Sequence, residues 1–210
     1  AETHIVELAK ELKAWGHDVF IVSNGGVYVP EAEAAGIRHY QAPLNQRSVT
    51  AMSRARRILR QVIEREKPDA VILDLNLPDG AHARIPAFLC GILRRRMKFA
   101  FVTSCHGVYQ VSGALKLLSN WGEHTLAVSE DIRDYLMKQY GLPVDRITLT
   151  INGIDTEKFS PVVSGTGIRA ELGLGDAPVV GHVSRLDREP AYAAGQLIAL
   201  APQLAERGPG

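Results

Sequence analysis

Leu126-Ala127-Val128-Ser129-Glu130, Ile151-Asn152-Gly153-Ile154-Asp155 and Lys158-Phe159-Ser160-Pro161 succeed one another between Trp121 and Pro161, and their order decides the fold. The first is a short apolar run ending in Ser-Glu. Ile132, Tyr135 and Leu136 follow it at three- and four-residue spacing, so the segment reads as a strand feeding a helix. Ser129, Glu130 and Asp131 fall at the start of that helix, where a hydroxyl caps free N–H groups and carboxylates match the positive end. Gly141 and Pro143 stop it, and Arg146 to Ile151 alternates β-branched residues, the pattern of a next strand. Asn152-Gly153 then predicts a sharp turn through positive backbone dihedrals, a signature that an ordinary loop shares. In an open α/β sheet the carboxyl ends of the strands are where ligands collect.

The same alternation runs outward from this stretch. Toward the start, Ile5, Leu8, Ala9 and Leu12 mark one face of a helix, and Val19 to Val22 a buried strand. Glu31 to Ala35 predicts a brief helix, Gly36 to Tyr40 an edge strand, and Val49 to Glu66 a long helix with Ala51, Ala55, Ile58, Leu59, Val62 and Ile63 inward. Ala70 to Leu73 and Phe99 to Thr103 read as further strands, with a helix over Phe88 to Arg95 between them. Short apolar strands alternating with helices predict a parallel sheet covered on both faces. Beyond Pro161 the texture changes: a short helix around Ile168 to Leu172, a fresh strand at Val179 to Val183, then a helix carrying Ala193, Leu197, Ile198, Leu200 and Leu204. The expected organisation is a first domain over 1–155, a linker over 156–178, and the opening βα unit of a second domain over 179–210.

Composition narrows the function classes. A net charge of +1 over 210 residues gives no argument for nucleic acid as a partner. Two local basic runs, Arg54-Arg56-Arg57-Arg60 and Arg94-Arg95-Arg96-Lys98, read as solvated helix faces or ends, with contact to an anionic membrane as the alternative. The two cysteines, Cys90 and Cys105, lack metal-ligand spacing, and a reduced cytoplasmic setting is expected. Cys105 stands beside His106, but neighbours on a strand face opposite ways, which argues against a Cys-His nucleophile pair. No apolar run approaches the roughly twenty residues of a membrane span. No Asp-x-Asp closes a strand, so no metal is expected.

In this order the pieces resemble the family 4 (group 1) glycosyltransferases. The likeness is carried by Ala1-Glu2-Thr3-His4, Trp15-Gly16-His17-Asp18-Val19, Val102-Thr103-Ser104-Cys105-His106-Gly107-Val108-Tyr109, Val128-Ser129-Glu130, Asn152-Gly153-Ile154-Asp155 with Phe159, and Ser184-Arg185-Leu186-Asp187. The resemblance implies a GT-B architecture: here an α/β, Rossmann-like parallel-sheet domain forming the amino-terminal half, plus the first βα unit of a second Rossmann-like domain. It implies retaining transfer of a hexose from a nucleotide-sugar co-substrate to a cell-envelope lipid or saccharide. It also implies a chain shortened at both ends and a fragment that is inactive by itself. By the same carry-over, His106 is the catalytic candidate at the cleft, and Arg185, Glu2 and Thr3 are donor-binding candidates. Tyr109, Ser129, Glu130, Asn152 and His82 are candidates for the acceptor side or the cleft wall. The lysine that such sequences place five residues after the arginine is Pro190 here, and their later glutamate pair would lie past Gly210.

One phrase departs from the pattern. Lys67 to Gly80 intervenes before Ala81-His82-Ala83-Arg84 and resembles the phosphoacceptor strand of a receiver domain, with Asp74 as acceptor. That chemistry needs Mg²⁺ held by further carboxylates, and no acidic pair closes the strand at 19–22. A non-catalytic fragment, a receiver-like domain using Asp74, and a GT-B relative such as a nucleotide-sugar epimerase are the alternatives to a transferase.

Overall fold

A computed structural model describes residues 2–46, 48–75, 81–108, 119–157, 159–183 and 188–207, with the side chains of residues 2, 75, 81–83, 188–193 and 204–207 outside the description. The chain divides into two compact units, Ala1–Gly153 and Ile154–Gly210.

In the first unit, α1 (Glu2–Ala14), β1 (Phe20–Ser23), α2 (Val29–Ala34) and β2 (Arg38–Gln41) lead into α3 (Val49–Glu66). Then come β3 (Ala70–Leu75), α4 (Ala81–Arg94), β4 (Ala100–Cys105), β5 (His124–Ala127), α5 (Glu130–Tyr140) and β6 (Ile147–Leu149). Among the described residues all strand pairing is parallel, in two sheets, β1-β2 and β3-β4-β5-β6. Helical crossovers between successive parallel strands are what parallel pairing requires.

Each sheet has its own core. Ala55, Leu59 and Ile63 of α3, Ala87 and Leu93 of α4, and Ile132 and Leu136 of α5 close on Phe101, Cys105 and Ala127 of the larger sheet. Val6 and Ala9 of α1 close on Ala32 and Ile37 beside the smaller one. Val22 of β1 and Leu44 pack against the larger cluster and tie the two together.

Local chemistry sets the boundaries. Ser48 caps α3 by accepting from the Ala51 N–H at 3.2 Å, and Lys67 closes it in the left-handed conformation, φ 47°. Glu66, at the end of α3, accepts from the Tyr40 hydroxyl at 2.5 Å and pairs with Arg38, fastening the helix to β2. Between β4 and β5 the buried hydroxyls of Thr103 and Thr125 both donate to the Trp121 carbonyl, at 2.9 and 3.0 Å, so neither hydroxyl is left unsatisfied.

Three expectations are corrected. The helix expected from Phe88 begins at Ala81 and runs through Pro86, a residue that local propensity disfavours within a helix. Gly153 does not take a positive φ; the glycines that do include Gly122 and Gly141. Residues 179–183 form no strand. Val180 and Val183 are exposed, and no described strand lies beside them to accept their backbone hydrogen bonds. The second unit instead carries α6 (Thr166–Glu171) and α7 (Arg188–Arg207). Its division from the first unit falls two residues before the expected boundary, and residues 156–178 belong to it.

Candidate functional site

The carboxyl ends of β3 and β4 bring Asp74 and His106 together. Parallel register sets Asp74 opposite Ser104, and His106, two residues past Ser104, returns to the same side of the chain. The His106 Nε2 lies 2.8 Å from Ser104 Oγ and 3.1 Å from Asp74 Oδ1. Both side chains are nearly sealed from solvent, 5% exposed for His106 and 7% for Asp74. Asn152, just past β6, places its Nδ2 3.5 Å from the other ring nitrogen, Nδ1. From the first turn of α1, the His4 ring meets the His106 ring edge to face, with centroids 4.9 Å apart.

Hydrogen-bond roles follow from this network. An amide nitrogen only donates, so with Asn152 in this orientation Nδ1 of His106 accepts and Nε2 carries the hydrogen. That hydrogen is directed to Ser104 Oγ. Neither oxygen of Asp74 has a hydrogen-bond partner among the described residues, although Nε2 lies close beside one of them. A carboxylate withdrawn from water is costly unless other groups donate to it. Burial holds the His4 pKa below the ordinary 6.5, against the pull of Asp74 and with some repulsion from His106. His4 is therefore neutral at neutral pH.

The other candidates are placed as follows. Ser129 caps α5, accepting from the Ile132 N–H at 3.3 Å. Glu130 is exposed and paired with Arg133 on the same helix. Thr3 is exposed in the first turn of α1; Glu2 begins that turn and His82 lies in the first turn of α4, both with side chains outside the description. Tyr109 and Arg185 lie outside the described residues. The structure thus gathers His106 and Asn152 but adds Asp74 and His4, which the sequence reading did not assign to this cleft. The signal for Asp74 was its place at a strand end adjacent to that of Ser104. Cys105 donates to the Gly107 carbonyl at 3.4 Å and faces the core, with burial pushing its thiol up to about 11.

Comparisons with known proteins bear on the fold and the family. No curated protein matches the chain. Among solved structures, a glycosyltransferase from Rickettsia africae ESF-5 matches with a TM-score of 0.69 and 24% identity, over 85% of this chain and 46% of that one. Anabaena Alr3699/HepE in complex with UDP-glucose matches at TM-score 0.65 and 17% identity, over 89% and 50%. A UDP-N-acetylglucosamine 2-epimerase from Rickettsia bellii matches at 0.54 and 17%, over 81% and 48%. These identities show likeness of fold, and the chain spans about half the length of each structure. The fold is the Rossmann-like, GT-B type expected from the sequence. The profile of Glycosyltransferase Family 4 matches residues 1–158, three-quarters of the sequence and the whole of the first unit, and the chain belongs to that family.

Proposed function

We propose that the chain serves retaining transfer of a hexose from a nucleotide-sugar to a cell-envelope lipid or saccharide, with its first unit as the acceptor domain. Family membership supports glycosyl transfer. The observation that carries the finer reading is His106, fixed by Ser104 and Asn152 at the carboxyl end of a parallel strand, where open α/β sheets bind ligands. Departure of a nucleoside diphosphate builds negative charge, and a sugar hydroxyl needs an oriented hydrogen-bond partner. A buried imidazole held from Nδ1 by Asn152 and from Nε2 by Ser104, beside the Asp74 carboxylate, offers such an oriented polar group.

In this reading Arg185, Glu2 and Thr3 serve the donor, and Tyr109, Ser129, Glu130, Asn152 and His82 line the acceptor side. The nucleotide-sugar is a co-substrate, and no tightly bound organic cofactor takes part. The setting is cytoplasmic, with a peripheral membrane contact through the exposed arginines of α3, Arg54, Arg56 and Arg57, where the acceptor is a lipid. No helix among the described residues is long and apolar enough to cross a membrane.

The test is turnover of a panel of nucleotide-sugars by the protein purified from its own gene, with release of nucleoside diphosphate quantified and the product anomer read by NMR. His106→Gln keeps the side-chain volume near that of imidazole and is expected to lower turnover about 100-fold or more. Wild-type turnover in a folded His106→Gln protein sinks the assignment of this residue, and an inverted product sinks retention.

A further inference from the structure

We propose that His4, Asp74 and His106 form a binding site for one divalent transition cation, of which Zn²⁺ is the best match. Each side chain offers one ligand atom, and these atoms all lie within 4.8 Å of one another. Two imidazoles and one carboxylate are the donor set that borderline divalent cations favour, whereas Mg²⁺ and Ca²⁺ prefer oxygen throughout.

A second observation points to the same ligand. Both oxygens of the buried Asp74 carboxylate lack a hydrogen-bond partner among the described residues. An imidazolium pairing with Asp74 would aim its N–H at the carboxylate, but the His106 Nε2 is turned to Ser104 Oγ at 2.8 Å, leaving Asp74 Oδ1 off its line at 3.1 Å. A cation between the three side chains would satisfy the carboxylate from the side where none of the described residues donates.

The geometry needs little adjustment. Tetrahedral bonds of about 2.0 Å place ligand atoms about 3.3 Å apart, close to the Nε2 to Oδ1 separation already present. The widest pair must close by about 1.5 Å at most, within reach of the His4 side-chain torsions. His106 would bind through Nε2 by changing tautomer, with no net proton gained or lost. The Nδ1–H so formed meets Asn152, whose amide, turned over, presents its carbonyl oxygen as the outer partner that metal-bound histidines use. Three protein ligands leave a fourth position for water or an oxygen of a substrate. The site rests on these side chains and on no particular reaction, so it stands or falls apart from the transferase reading.

The test is titration of Co²⁺ into the chelator-stripped chain, followed by visible absorption, with Zn²⁺ then added in competition. Expected are saturation at one equivalent, the intense bands of a four- or five-coordinate site, and loss of those bands to Zn²⁺. Asp74→Asn and His4→Ala should each weaken binding at least ~10-fold, while His17→Ala, at an exposed histidine elsewhere, leaves it unchanged. Absence of saturable binding, a purely octahedral spectrum, or equal affinity in Asp74→Asn overturns the proposal. If that variant does not fold by circular dichroism, diethyl pyrocarbonate labelling of the wild-type chain decides. Zn²⁺ protection confined to His4 and His106 supports the site, and equal labelling with and without Zn²⁺ overturns it.

Discussion

Gly122→Ala should cost far more stability than Gly141→Ala, although both glycines hold positive φ, 70° and 64°. Gly141 ends α5 with open space around it: a Cβ there meets nothing within 4 Å. At Gly122 a Cβ would fall inside contact distance of the Phe101 carbonyl oxygen and 2.9 Å from its carbon. That strand backbone cannot retreat. Its oxygen already accepts from the Glu123 N–H at 2.7 Å, and its N–H donates to the Glu123 carboxylate at 3.1 Å. Gly122 is held on its own side as well, with its N–H on Asn120 Oδ1 at 3.0 Å and its carbonyl on Arg146. The left-handed conformation costs an alanine about 1 kcal/mol at either site, and the forced shift at Gly122 adds about 2 kcal/mol. The expected losses are therefore about 3 and about 1 kcal/mol, or midpoint shifts of about 6–12 °C and about 2–4 °C. Urea unfolding followed by tryptophan fluorescence isolates the first unit, because both tryptophans, Trp15 and Trp121, belong to it. Equal losses in the two variants would refute the steric argument and leave only the backbone term.

Two further outcomes are expected. Burial raises the Cys90 and Cys105 thiols to about 12 and about 11, against an ordinary 9.0. The folded state thus keeps these protons after the unfolded state has lost them, so their stabilisation is whole below pH 9 and disappears as pH rises toward 11 to 12. A chain with both cysteines changed to alanine should show a shallower alkaline loss of stability, measured by urea midpoints across that window; parallel slopes would contradict the burial of the thiols. Removing the α5 cap by Ser129→Ala should cost about 1 kcal/mol, and Ser129→Asn should restore most of it. Failure of asparagine to rescue the urea midpoint would point to a role of the hydroxyl other than capping.

Periodicity made some elements legible and left others hidden. The expected limits of α3 match the observed Val49–Glu66, because six apolar positions at helical spacing, five of them buried and Ile58 half-buried, lie between a serine cap and a proline. The first two turns of α4 stayed outside the expected helix; they contain Pro86, a residue that local propensity disfavours within a helix. The apolar run at 179–183 looked like a strand, but strands are made by their neighbours, and pattern alone does not supply one. Within the site, the motif carried His106 and Asn152. Asp74 drew notice for a phosphoacceptor chemistry it lacks the partners for, and its contact with His106 depends on a strand register that only the folded sheet defines. His4 is separated from Asp74 by an entire βαβα passage, and nothing local in either segment announces the other.

The site also straddles the two hydrophobic clusters. His4 rides on α1, whose Val6 and Ala9 belong to the smaller one, while Asp74 and His106 terminate strands of the larger one. The three side chains therefore converge only while both clusters remain docked, and a partial opening that frees α1 dissolves the cleft without melting the main sheet. Any ligand gripped by all three would suppress that opening by the factor 1 + [L]/Kd, so amide hydrogens of α1 should exchange more slowly as the site fills. A ligand held by all three side chains would thereby couple the opening of α1 to that of the main sheet.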